Sequence, residues 1–189
     1  MSTIATTNIK HASSSSNNIV LGSDGSAYMP GHIIQVVQTI KTDTFSTTSS
    51  SNVDITGLSV AITPSSTSSK ILVAVNLGIV SGVANSYPGF ILLRGSTAIG
   101  VGTSATGDRV NVSFGNFGFD GPSSMGLQGS SASFQYLDSP STTSSTTYKV
   151  QVYSAYNSHQ IEINRSNHDA DNPWGMRSAS TIIAMEVAA

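Results

Sequence analysis

Glu162 and Glu186 are the chain's entire supply of glutamate, and a pair of carboxylates flanking a sugar is the machinery of glycoside hydrolysis. Each sits inside an alternating apolar run that reads as a strand, while the aspartates concentrate in turns, so no acid/base pair is brought together by spacing. Serine is abundant and four histidines are present, yet the G-x-S-x-G elbow of a serine hydrolase is missing. The ordinary turn chemistry of Ser and Asp accounts for them. Asn167, Asp169, Asp171 and Asn172 place oxygen donors at nearly alternate positions, the kind of ligand a hard cation such as calcium takes. The glycine and the distant bidentate glutamate of a calcium loop are absent, which makes a solvated loop the better reading. Tyr87, Tyr153, Tyr156 and Trp174 are amphipathic aromatics of the sort that stack on sugars or pack between subunits. Of these, Tyr87 and Trp174, with His168, are candidate ligand or partner contacts. With no cysteine in the chain, disulfides, thiolate metal sites and thiol nucleophiles are excluded. The expectation is a protein with no catalytic residues, no metal site and no cofactor.

Arg94, Arg109, Arg165 and Arg177 stand out in a chain that is only 10% charged, with a net charge of −2. An arginine at a strand end commonly forms a bidentate pair with a carboxylate. Arg165 or Arg177 with Asp169, Asp171 or Glu162 is therefore the expected structural pairing. So little charge provides no basic surface for nucleic acid. No apolar run reaches spanning length and the amino terminus has no signal-peptide pattern, so neither export nor membrane insertion is expected.

The elements that carry these residues read as strands. Threonine, valine and isoleucine are plentiful and helical periodicity is absent, as suits a pleated surface. From Ile55 to Val80, Leu58, Val60 and Ile62 share one face of a first run. Ile71, Val73, Val75, Leu77 and Ile79 share one face of a second. Burying each large side chain contributes roughly 1.5–3 kcal/mol, which places these two strands at the centre of the core. From His32 to Phe45, Ile34, Val36 and Ile40 share one face, and Ile33, Val37 and Phe45 join Gln35, Thr39 and Lys41 on the other. Apolar residues on parts of both faces suit a sheet centre or a subunit contact. Phe90–Leu93 and Ala98–Val101 flank Gly95 as a tight hairpin, and Val110, Val112 and Phe114 alternate before a glycine-spaced aromatic stretch. Later strands carry Ala132, Phe134 and Tyr136; Tyr148, Val150 and Val152; Ile161 and Ile163; and Ile183, Met185 and Val187. Eight or nine short strands with Ser/Thr/Gly turns predict an all-β, jelly-roll-like antiparallel sandwich over residues 31–189.

Residues 1–30 differ in composition. Ordering some 30 residues costs on the order of 30 kcal/mol or more of backbone entropy, which the segment's few apolar side chains, at about 2 kcal/mol each, offset only in part. The expectation is an extended anchoring arm that buries Ile4, Ile9, Ile19, Val20 and Leu21 against another chain.

Several pieces of this text resemble small structural, tail-fibre-like virion proteins of tailed bacteriophages, especially those of marine and cyanobacterial phages. They are NIKHASSSSNNIVLGSDGS; GHIIQVVQTIKTDTFSTTSSSNVDITGLSVAITPSSTSSKILV; LLRGSTAIG; YLDSPSTTSSTTYKVQVYSA; INRS; and SASTIIAMEV. Together they cover more than half of the chain in the family's order. The resemblance implies a non-enzymatic virion part assembled in the host cytoplasm. It would be a jelly-roll homotrimer, hung by its amino-terminal arm from other capsid or tail proteins. A fibre-like appendage contacting a host-surface glycan is one form of this role, and a capsid-decorating or cement protein is the alternative. A carbohydrate-binding module is the more distant alternative. The departures lie at residues 85–89, 107–130 and 166–175, where specificity would reside.

Overall fold

The structure, a computed structural model, describes residues 8–15, 19–21, 27–83, 86–103, 106–115, 129–154, 159–167, 169–173 and 175–189; of residues 8, 20 and 28 it describes the backbone alone. The described residues contain strands and no helix, as β-branched residues at alternating positions dictate. Three short strands, β1 (Asn8–Ile9), β2 (Ile19–Leu21) and β3 (Ala27–Tyr28), form a small antiparallel sheet of their own. The chain then continues through β4 (Ile33–Lys41), β5 (Phe45–Thr47), β6 (Val53–Ile62) and β7 (Lys70–Gly82). Next come β8 (Pro88–Arg94), β9 (Thr97–Ile99) and β10 (Phe114–Gly115). The last four are β11 (Gly129–Asp138), β12 (Thr146–Ser154), β13 (Ile161–Ile163) and β14 (Ser180–Val187).

Eight of these strands pair in nested antiparallel fashion, first with last: β4 with β14, β6 with β12, β7 with β11 and β8 with β10. Two cross-pairings, β14 with β7 and β12 with β8, complete the sheets β4-β14-β7-β11 and β6-β12-β8-β10. This is the strand order of a jelly roll, a long hairpin rolled into a two-sheet sandwich. β13 and β5 extend the first sheet beyond the end of β14. At the β8–β9 turn Gly95 takes φ +59°, a conformation open to glycine at little steric cost.

The core forms between the sheets. Leu58, Val60 and Ile62 of β6 and Ile71, Val73, Val75 and Leu77 of β7 are buried as expected, but from opposite sheets. Phe90, Leu92, Tyr148, Val150 and Val152 are fully buried between them. Ile79 departs from the predicted face and is only half-buried. Opposite it, Ser130 pairs with Val80 and Ala132 with Leu77, so β7 carries one extra residue there. A bulge of this kind turns the following residues over, and Val80 takes the inward position instead.

Two strands carry apolar residues on their outer side. β14 turns Ser180, Ile182, Ala184 and Glu186 inward and leaves Ile183, Met185 and Val187 half-buried on its outer side. β4 is an edge strand, bonded to β14 alone among the described residues, which rules out the sheet centre for it. Its Ile34, Val36 and Ile40 are exposed, while Val37 packs on the core. The predicted strand from Val110 is also shorter in the described residues, with only Phe114 and Gly115 in a ladder.

Candidate functional site

The departing loop between β13 and β14 is where the charged residues gather. Ile161 and Ile163 face the core, and a strand's alternation would turn Glu162 away from it; Glu162 is nonetheless 1% exposed. The Arg165 guanidinium makes this burial tolerable. Its Nε donates to Glu162 Oε2 and its terminal nitrogen to Oε1, both at 2.5 Å. The remaining Arg165 nitrogen donates to Asp169 Oδ2 at 3.1 Å, and Arg177 donates to both Asp169 oxygens at 2.9 and 2.6 Å. A backbone bridge between residues 165 and 177 closes the neck of the loop. Donating to the Glu162 carboxylate raises the Arg165 pKa, against desolvation that lowers it. Desolvation pushes the Asp169 carboxyl up, but the hydrogen bonds and charges of Arg177 and Arg165 outweigh it and hold the group below its ordinary range.

Asn164 anchors the same neck from inside. It adopts φ +67°, a left-handed conformation that asparagine tolerates better than most residues. Its side-chain amide donates to the carbonyls of Lys41 and Asp43 at 2.9 and 3.0 Å, and its Oδ1 accepts from Ser180 Oγ at 2.6 Å. The β7 bulge is satisfied here too: Gly78 N–H donates to Ser180 Oγ and Ile79 N–H to Ser178 Oγ, at 3.2 and 2.7 Å. A backbone with an interrupted ladder thus finds side-chain partners, as buried amides require.

The predicted arginine pairings are therefore present as Arg165 with Glu162 and Asp169, and Arg177 with Asp169, without Asp171. Asp169 is committed to two guanidinium groups. Among the described residues no cluster of three or more His, Asp or Glu assembles that would hold a metal ion. The two glutamates have separate structural occupations. Glu186 Oε1, buried at the β14 end, accepts from Ser65 N–H and Oγ–H at 2.7 and 2.6 Å and so holds the β6–β7 connection. The other buried charges are likewise engaged. Asp138 accepts from Arg94 at 2.8 and 3.0 Å and from the Tyr148 hydroxyl at 2.7 Å, linking the two sheets. Burial, then the Asp138 carboxylate, pushes the Tyr148 pKa up. Lys41 Nζ donates to Asp43 at 2.8 Å, and that hydrogen bond is the leading reason the Asp43 pKa lies low.

Of the remaining predicted contacts, Tyr87 is half-buried just before β8. In the arm, Ile9 is 48% exposed on β1, while Ile19 and Leu21 are half-buried on β2. Val20 lies on β2 with its backbone alone described; Ile4, His168, Trp174 and Tyr156 lie outside the described residues.

No protein-family model matches the chain, and no curated protein matches it. Among solved structures it is similar to infectious bursal disease virus of the Gt strain, at 14% identity and a TM-score of 0.43, covering 92% of this chain and 47% of that one. Derived T=1 particles of infectious bursal virus match at 13% identity and a TM-score of 0.39, covering 90% and 40% of the respective chains. The VP2 subviral particle of infectious bursal disease virus matches at 12% identity and a TM-score of 0.37, covering 89% and 42%. The chain spans less than half the length of these neighbours. Its jelly-roll assignment comes from its own strand pairing.

Sequence reasoning missed one further assembly. The rings of Phe90, Phe114, Phe134 and Tyr136 form a continuous stack with centroid separations of 5.1, 5.4 and 6.4 Å. Phe90 and Phe114 come from one sheet, Phe134 and Tyr136 from the other. The stack closes the sandwich where β10 faces β11, and a Cβ at Gly100 would lie 2.8 Å from the Phe134 ring. The alternation of these residues was legible, but their meeting depends on how the two sheets superpose.

Proposed function

We propose that the chain is a structural protein of a tailed-bacteriophage virion, a trimeric, fibre-like appendage on the particle exterior anchored through residues 1–30. The observation that carries this reading is the complete jelly-roll strand order in a chain whose text resembles such virion proteins. A jelly roll whose termini meet at one end suits the role: Gly31 N–H donates to the Ala188 carbonyl at 2.8 Å, and Ala188 N–H to the His32 carbonyl at 2.9 Å. The arm therefore leaves the body beside the carboxy terminus, and its short strands pair only with one another among the described residues.

The buried charges support a structural role over a catalytic one. Lys41, Asp138, Glu162 and Glu186 each hold a partner that fixes a loop or joins two strands. Labelled imaging of the virion tests the proposal directly. Label at the tail, with adsorption lost on removal of the protein, supports the fibre. Label over capsid-subunit junctions, with weaker particles on removal, marks a decorating protein instead. Deleting residues 1–30 should leave a folded body that no longer enters particles; continued incorporation would refute anchoring by the arm.

A further inference from the structure

Strands β4 and β14 lie side by side and build a largely apolar outer face on the first sheet. One row crosses all four strands: Val36 pairs with Met185, Met185 with Leu72, and Leu72 with Leu137. Val36 is 58% and Leu137 47% exposed, and the two between them are half-buried. Ile183 with Ala74 continues the surface on one side of this row, between the exposed Gln38 and Gln135, and Val187 on the other. The paired rows contain one charged residue, Lys70, at their margin. A sheet normally turns its polar alternation toward water; here the apolar half of two adjacent strands faces out, and the inward half includes Lys41 and Glu186.

The free edge of β4 points the same way. Exposed edges are usually blunted by proline, a bulge or an accessible charge. The nine residues of β4 contain no proline. Their one charge, Lys41, is 2% exposed and bonded to Asp43. The bulge in this pairing lies at the amino-terminal end of β4, where Ile34 is the extra residue, and leaves the edge from Gln35 to Lys41 regular.

We infer that this outer face, with the adjoining β4 edge, is the contact surface between copies of this chain. Four strands about 4.8 Å apart and four rows about 6.8 Å apart give a footprint of roughly 500 Å². That is a large part of the roughly 800 Å² per partner that a stable interface covers, with Gln38, Gln135, Thr181, Asn76 and Ser133 as polar positions beside the apolar row. The occupant follows from the chemistry. Nucleic acid and anionic lipid require basic groups, and the rows offer only Lys70. A glycan requires aromatic platforms or dense hydrogen bonding; the rows have no aromatic ring, and Ile183 and Ala74 separate the amides of Gln38 and Gln135. A flat apolar protein surface fits, and a face nearly free of charge does not repel its own copy. The inference rests on the assembling role proposed above. It is read in solution, so failure here leaves incorporation into particles as a separate question.

The test uses the full chain, which contains no cysteine. Sedimentation of the wild type is expected to show an oligomer. Val36→Glu with Leu137→Glu, both at exposed positions, is expected to weaken association by about tenfold or more per buried carboxylate, with the circular dichroism of the body unchanged. Independently, the thiol of a Val36→Cys chain should react with maleimide far more slowly than that of an Ala61→Cys chain on the exposed side of β6. A monomeric wild type with a freely reactive thiol at position 36 overturns the inference and leaves the face to a different protein. A monomer with that thiol protected also overturns it, assigning the cover to the chain's own residues. An oligomer indifferent to both substitutions places the contact elsewhere and overturns it too.

Discussion

Replacing Arg165 by methionine is expected to destabilise the body more than any other single charge removal in the β13–β14 loop. The Glu162 side chain is 1% exposed and receives two 2.5 Å hydrogen bonds from the Arg165 guanidinium. Methionine preserves much of the arginine stem's packing but leaves a buried carboxylate without its cation. Breaking a buried pair in this way costs about 3–5 kcal/mol. For a domain of this size each kcal/mol lowers the melting temperature by roughly 2–4 °C, giving a fall of roughly 6–20 °C. Arg177→Met provides the internal standard, because its side chain is 56% exposed and exposed pairs contribute about 0–1 kcal/mol. The double substitution Glu162→Gln with Arg165→Met should recover part of the loss, since the uncompensated charge is gone. Thermal unfolding followed by near-ultraviolet circular dichroism measures all three. If Arg165→Met costs no more than Arg177→Met, Glu162 does not depend on Arg165 and the argument fails.

Asn164→Ala should cost about 3 kcal/mol, by removing three hydrogen bonds and forcing a left-handed alanine; Asn164→Gly should recover the backbone part, as denaturant unfolding would show. Gly78→Ala should cost 1–3 kcal/mol or more by overpacking (about that range in well-packed cores), because its Cβ would lie 2.4 Å from Ser178 Oγ and 2.5 Å from the Ala179 carbonyl oxygen; a neutral melting temperature would contradict the bulge geometry. Acid titration should reveal the depressed carboxylates. Asp54 is lowered first by the Lys149 hydrogen bond and then by Gln151, and Asp169 lies below the same ordinary value of 3.8. A folded pKa below the unfolded one adds stability that is present above pH 3.8 and is lost as pH falls through the folded value. Lys149→Met should therefore flatten the loss of stability below that pH relative to wild type, measured as the pH dependence of the denaturation midpoint.

Much of the fold is legible along the chain because strand alternation is local. Leu58, Val60, Ile62 and the Tyr148, Val150, Val152 set announce their buried faces through period-two spacing alone, and Gly95 announces its hairpin. The same signal cannot say which neighbour a strand takes. It therefore leaves β6 and β7 as two core strands without showing that they lie in opposite sheets. Ile79 escaped because an extra residue in β7 shifts the phase, and the compensating acceptors are the hydroxyls of Ser178 and Ser180, 99 and 102 residues away. The arginine pairings were legible in kind, since few charges leave few possible partners. The burial of Glu162 was not, because it depends on the 165–177 bridge.

Composition and alternation thus determined an antiparallel all-β chain with polar turns, a scarcity of charge and a distinct amino-terminal segment. Only the tertiary structure decided direction. An alternating strand states that it has two unlike faces, and nothing local specifies which one meets the core. In β4 and β14 the sheet pairing, the Glu186 contact with Ser65 and the burial of Lys41 turned the more apolar face outward. The physical reason is that facing depends on what lies across the sandwich, and those residues come from strands distant in sequence.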